Sequence, residues 1–173
     1  MDILPPKART ASRGWLARHG PDAQRASVLK STLLHPEILA ALGRAGHGSR
    51  ILIADGNYPA ATAIGTNARL VHLNLAPGKL SVTEVLAALL TAIPVEQAAV
   101  MDTLKSGPYA MSGDPEIWGE FRAQLKTAGV SELTKIERMA FYEAARQSDV
   151  ALVIQTGEQR IYANLLLTIG VVK

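Results

Sequence analysis

There is no cysteine among the 173 residues. That removes a disulfide scaffold, a thiol nucleophile and a thiolate metal site together, and suits a chain at work in a reducing cytoplasm. The four histidines, His19, His35, His47 and His72, have no metal-ligand spacing, so neither a metal nor, without a Walker loop, a GxSxG or a GxGxxG, any other cofactor is expected. Long apolar runs are missing as well: the longest, Val85–Leu90, falls far below the ~18 residues that cross a bilayer, and no membrane partner is expected. Aromatic residues make up only 5% of the chain, which leaves few platforms for stacking bases. An excess of one charge is also lacking once the first 27 residues are set apart. Lys7, Arg9, Arg13, Arg18 and Arg25 against Asp2 and Asp22 account for the whole net charge of +3. The remainder is neutral, and a neutral body has no field with which to hold a phosphate backbone, so nucleic acid is not an expected partner.

What is present is a chain 48% hydrophobic and 19% charged, of a length that suits one folded domain with a sizeable core. Residues 1–27 are interrupted by Pro5, Pro6, Gly14, Gly20 and Pro21 and read as an N-terminal extension, either disordered or a start-site artefact, because valine at position 28 is what an internal GUG start codon would encode. From residue 28 to 173 helical and strand patterns alternate. Pro36 suits the first turn of a helix ending near Gly46-His47-Gly48. Arg50–Ala54 is a continuous apolar run, as a buried strand requires. Arg69–Leu75 reads as a strand, and Ser81-Val-Thr-Glu84 is a capping box opening a helix that stops before Pro94. Further on come a strand at Val95–Asp102, a helix from Pro115 to about Thr127 closed by Gly129, and a strand at Leu133–Glu137. A helix at Met139–Gln147 and strands at Ala151–Gln155 and Tyr162–Thr168 complete the pattern. The fold class is therefore α/β, a single domain with a central mixed sheet and helices on both faces.

Such sheets place ligands outside strand ends, and three loops there carry polar groups. In the first, glycines flank His47, leaving its imidazole in a turn where it serves either as a proton carrier near neutral pH or as a solvated turn residue. Asp55 follows the apolar strand, and a carboxylate there must be bonded or face a cleft, unless it is simply the turn former of Asp-Gly. In the second loop Arg138 stands near a helix N-terminus, where the macrodipole disfavours it; a functional arginine or an ion pair with Glu137 or Glu143 would explain it. In the third, Thr156-Gly157-Glu158 precedes Tyr162-Ala163-Asn164, and a strand would aim Tyr162 and Asn164 to one side, as ligand-facing groups or as the wet face of an edge strand. Lys105 and Lys135 are isolated lysines, which are usually solvated.

His35-Pro36-Glu37-Ile38-Leu39, Gly46-His47-Gly48, Ala54-Asp55-Gly56-Asn57-Tyr58-Pro59, Lys135–Glu143, Thr156-Gly157-Glu158 and Tyr162-Ala163-Asn164, in this order, resemble the fucose mutarotase and ribose pyranase family from about Leu29 to Lys173. The Arg-x-x-Phe-Tyr-Glu stretch at Arg138 is similar to the fucose branch. The resemblance implies a ribose pyranase-like fold and an isomerase that interconverts the α and β anomers of L-fucose or a similar monosaccharide. His47 would be the catalytic proton donor, with Asp55, Arg138, Tyr162, Ala163 and Asn164 on the sugar. It implies a ring-shaped homo-oligomer, often decameric, with sites completed across subunit boundaries. Met139 replaces a usual aromatic and Ala163 a common glycine, departures that bear on which sugar is used. The methyl group of a 6-deoxy sugar would need an apolar patch, from Met139 or Tyr58. Ribose pyranose–furanose interconversion and a non-catalytic sugar-binding or transport-accessory module are the other readings.

Overall fold

The computed structural model describes residues 29–172; the expectation for residues 1–27 lies outside them. Four helices and six strands alternate: α1 (Pro36–Leu42), β1 (Arg50–Ala54), β2 (Arg69–His72), α2 (Val82–Leu90), β3 (Val95–Met101), α3 (Glu116–Thr127), β4 (Thr134–Ile136), α4 (Arg138–Ala145), β5 (Val150–Gln155) and β6 (Leu165–Ile169). The strands form one sheet in the order β2-β5-β1-β6-β3-β4. β6 runs antiparallel to both of its neighbours, and the other pairings are parallel. The sheet is thus mixed, as expected. Ile51 to Ala54 and Leu152 to Ile154 are each buried without interruption. Successive strand residues face opposite sides, so both faces of the central strands are covered.

Local chemistry sets the helix starts. Pro36 opens α1, with the His35 imidazole accepting from the Ile38 N–H. The Ser81 hydroxyl accepts from the Glu84 N–H while the Glu84 carboxylate accepts from the Ser81 N–H, closing the expected capping box. Glu137 caps α4 by accepting from the Met139 and Ala140 N–H groups, and those two bonds hold its carboxyl below the usual range. The third element differs from expectation by ending at His72 rather than Leu75, because the Leu73 N–H makes the last bond to β5 and the chain then turns on itself at Leu75. The last strand starts at Leu165 and not at Tyr162. Tyr162 has a φ of 59°, in the left-handed region that no strand residue occupies, so the chain turns there before it joins the sheet.

β1, β3, β4 and β5 all end on one edge of the sheet, where β6 begins. That edge carries Asp55, Met101, Glu137, Thr156 and Asn164. The opposite edge carries the Gly46-His47-Gly48 turn, pinned by the Gly48 N–H on the Ile169 carbonyl.

Candidate functional site

A hollow of about 450 Å³ opens at the edge where the parallel strands end, within the ~300–1,000 Å³ usual for small-molecule sites. Asp55, Asn57 and Tyr58 enter it from the turn after β1, Arg138 and Tyr142 from α4, and Tyr162 and Asn164 from the approach to β6. Met101, Ile161 and Tyr109 complete the wall.

Asp55 sits at its floor, 3% exposed. One carboxylate oxygen accepts from the Asn57 N–H at 2.9 Å and the other from the Asn164 Nδ2 at 2.9 Å. The Asp55 N–H donates in return to the Asn164 Oδ1 at 2.9 Å. The amide of Asn164 therefore grips backbone and carboxylate of the same residue, which satisfies a group too polar to be buried alone. Burial pushes the Asp55 carboxyl above the usual value, and the bonds from Asn57 and the backbone of Ala163 only partly oppose it. Ala163 is fully buried and contributes its backbone alone.

Arg138 lies half-buried on the first turn of α4. The ion pair expected with Glu137 or Glu143 is not made. Glu137 is spent on backbone N–H groups and Glu143 pairs with Arg146, and Arg138 has no salt bridge among the described residues. Arg138 lines the hollow, and no side-chain hydrogen bond of its guanidinium is seen among the described residues. On the same wall the Tyr58 and Tyr142 rings meet at 5.6 Å in a tilted pair. The Tyr58 hydroxyl donates to the Ala63 carbonyl at 2.7 Å, and burial raises its pKa.

Tyr162 and Asn164 do line one space, although not as alternate residues of a strand. The Tyr162 hydroxyl accepts from the Leu104 N–H at 3.1 Å and donates to the Tyr109 carbonyl at 2.7 Å. The Trp118 indole, fully buried, donates to the Tyr162 carbonyl at 2.8 Å.

His47 stands apart from this group. It precedes β1 whereas Asp55 follows it, and the five residues of β1 alone put about 13 Å between the two ends. Its Nε2 lies 3.0 Å from a carboxylate oxygen of Glu96, at the start of β3, and the histidine side chain is 58% exposed. Asp55, Arg138, Tyr162, Ala163 and Asn164 are therefore gathered at one edge of the sheet within a single chain, and His47 with Glu96 occupies the far edge. Of the two residues considered for a sugar's methyl group, Tyr58 lines the hollow and Met139 is exposed outside its lining; Met101 and Ile161 supply apolar surface there. Thr156 and Glu158 prove to be scaffold. The Thr156 hydroxyl donates to the Ala54 carbonyl, and Glu158, nearly buried, accepts two bonds from the Arg160 guanidinium; burial alone would raise its carboxyl, but these bonds, the Arg160 N–H, the Arg160 charge and the Val82 backbone together hold it low. Lys135 pairs with Asp114 and lies over the Trp118 ring.

Sequence reasoning passed over Glu96, Tyr109, Met101 and Ile161. Glu96 is an exposed strand residue and Tyr109 lies in a loop, neither within a motif; Tyr109 is tied to the site through its backbone carbonyl, which no side-chain pattern reveals. Among the described residues no His, Asp and Glu cluster could hold a metal ion, and no helix is long and apolar enough to cross a membrane.

Residues 28–172 match the model of the RbsD / FucU transport protein family. The chain is 37% identical over 145 residues to the fucose mutarotase of Homo sapiens, covering 80% of this chain and 90% of that protein. It is 32% identical over 146 residues to that of Danio rerio, covering 82% and 91%. Among solved structures it is similar to the fucose mutarotase of Streptococcus pneumoniae in complex with L-fucose, with a TM-score of 0.66 and 29% identity over 80% of this chain and 94% of that one. The Bacillus subtilis RbsD complexed with D-ribose shares the fold, with a TM-score of 0.68 at 23% identity over 84% of this chain and 99% of that one. The turn motifs, the mixed sheet and these matches agree, and the chain belongs to the RbsD / FucU transport protein family.

Proposed function

We propose that this protein is a sugar mutarotase, an isomerase that interconverts the α and β anomers of L-fucose or a closely similar monosaccharide. The observation that carries the reading is the hollow at the strand ends, where a buried carboxylate and an unpaired arginine stand beside apolar surface from Met101 and Ile161. Its support from outside is the likeness to proteins named fucose mutarotase over most of their length. A pocket with both characters fits a sugar that offers hydroxyls on one side and a methyl group on another.

The reaction needs one proton delivered to the ring oxygen and one removed from the anomeric hydroxyl, as the C1–O5 bond breaks to give the open aldehyde. Rotation about C1–C2 and the reverse transfers close the other anomer, so no net proton, electron or group is consumed. His47, held by Glu96, is the acid toward the ring oxygen. Asp55, whose carboxyl burial pushes above its usual value, takes the anomeric proton in its ionised form. Arg138 donates to ring hydroxyls. Because His47 and Asp55 lie on opposite edges of one sheet, the complete site brings the His47–Glu96 edge of one copy to the hollow of the next, within a ring-shaped homo-oligomer, a decamer on the family pattern. The cytoplasm is the location that goes with this reading.

NMR magnetisation exchange between the anomers of L-fucose, D-ribose and D-galactose at neutral pH tests the reading, with wild type beside His47→Ala. Wild type accelerates exchange, most for L-fucose, and His47→Ala loses about 10²–10⁴-fold, the contribution of a positioned acid–base group. A non-catalytic sugar-binding module would instead bind L-fucose equally well in both forms and accelerate nothing. Preference for D-ribose would move the assignment to pyranose–furanose interconversion.

A further inference from the structure

We infer that Tyr109 is the platform on which the apolar face of the sugar stacks, and that Tyr162 is the positioning residue that holds it there; the inference rests on the mutarotase reading. The chain has four tyrosines in all, and Tyr58, Tyr109, Tyr142 and Tyr162 all line the one hollow. Three of them are built into the protein: Tyr58 and Tyr162 are nearly buried with both hydroxyls spent on backbone, and Tyr142 packs on Tyr58. Tyr109 is different, 60% exposed at the mouth. An aromatic ring left in water adds little to folding, and covering it returns about 25 cal/mol for each Å² removed from solvent. A pyranose presents C–H groups on its face, and the electron-rich face of an aromatic ring attracts such positively polarised hydrogens.

The loop that carries Tyr109 is fastened so that the ring stays at the mouth. Residues 104–111 close on themselves through the Met111 N–H on the Leu104 carbonyl at 3.0 Å and the Ala110 N–H on the Gly107 carbonyl at 3.1 Å. Gly107, with a φ of 91°, permits the turn. The Tyr162 hydroxyl then bridges the Leu104 N–H and the Tyr109 carbonyl, pinning both ends of the loop with one atom. Tyr162 is itself fixed, by its left-handed backbone and by the buried Trp118 indole on its carbonyl. Donating once and accepting once, its hydroxyl is engaged on the loop before any sugar arrives. A wall so fastened binds without first paying to order itself.

The test uses the full-length protein, with anomer exchange of L-fucose read as KM and kcat, and calorimetric titration of L-fucose read separately. Tyr109→Ser raises KM and the binding constant for dissociation roughly tenfold, with kcat held within about a factor of two, the pattern of a contact equal in ground and transition states. Tyr109→Phe keeps the ring and stays near wild type. Tyr162→Phe weakens binding comparably, and the double variant with Tyr109→Ser is no worse than Tyr109→Ser alone, as two groups acting through one contact must behave. An unchanged KM in Tyr109→Ser overturns the inference. So do losses that multiply in the double variant, which would put the Tyr162 hydroxyl on the sugar directly, and a changed native mass in Tyr109→Ser, which would make the ring an interface residue. Should Tyr162→Phe fail to fold, the Tyr109→Ser and Tyr109→Phe pair decides. Wild type that binds L-fucose without accelerating exchange sinks the mutarotase reading while the titrations still judge Tyr109; wild type that neither binds nor exchanges sinks both.

Discussion

Asn164 spends its amide on Asp55, with one bond to the backbone and one to the carboxylate, and that choice tunes the Asp55 carboxyl. A donor bonded to the charged form lowers a carboxyl pKa, while burial raises it, and in Asp55 burial prevails. The same imbalance has a sign for folding. Because the folded value exceeds the unfolded one, the stability this group supports is complete below the unfolded value and is lost as pH rises through the raised folded value; the ionised form that the proposed mechanism uses is a cost to the fold. Removing the Asn164 donor tips the balance further. A hydrogen bond to the charged form lowers a carboxyl pKa, so the acid limb of the kcat/KM profile moves upward in Asn164→Ala, which loses the Nδ2 bond to the Asp55 carboxylate. The pH dependence of anomer exchange checks this, with a melting curve to show that the variant is folded; a limb that stays in place would mean that Asp55 is not the base. Asp55 was legible in the sequence because a carboxylate at the end of an apolar strand must be accounted for. Its partner was not, since Asn164 was placed in a strand and nothing in a list of residues says that a left-handed turn at Tyr162 brings its amide across to Asp55.

Two glycines at the level of elements respond in opposite directions to the same substitution. Gly157 lies where the turn after β5 is crossed by residues 76–80: its N–H bonds the Lys79 carbonyl, and a Cβ there would stand 2.6 Å from the Ala76 carbonyl oxygen. Backbone cannot step aside as a side chain can, so Gly157→Ala destabilises by at least the ~1–3 kcal/mol usual for overpacking. Gly119 is an exposed residue of α3, and a Cβ there meets nothing within 4 Å. Gly119→Ala stabilises by about 1 kcal/mol, because glycine in a helix interior carries a larger entropy loss than alanine. Thermal melting separates the two: Tm falls in the first and rises by about 2–4 °C in the second. The elements that could be read from sequence were those with strong local causes, the apolar run of β1, the capping box of α2 and the Pro115 start of α3. β6 was begun three residues early, since Tyr162-Ala163-Asn164 has strand composition and only the backbone shows otherwise. The 104–111 loop had no readable order because its fastening, one tyrosine hydroxyl 53 residues away from the carbonyl it bonds, is tertiary.

For the molecule as a whole, the His47–Glu96 pair and the Asp55 hollow cannot serve one sugar within a single chain, because a strand's length separates them. If each working site takes its acid from one copy and its base from the neighbour, two dead variants repair each other. His47→Ala retains a sound hollow, and Asp55→Asn retains a sound acid. Unfolding the two together and refolding them at equal concentration, or mixing them under conditions where subunits exchange, places them at random around a closed ring. A site then has an even chance of a native His47 and an independent even chance of a native Asp55, so about a quarter of the sites are whole and about a quarter of wild-type activity returns. Each variant alone stays inactive whatever its concentration, which separates repair from residual activity. A site contained in one protomer gives no recovery at any ratio, because no mixture supplies both groups to the same chain. Recovery that follows the product of the two native fractions as the ratio is varied would establish that the acid reaches the sugar from the neighbouring copy.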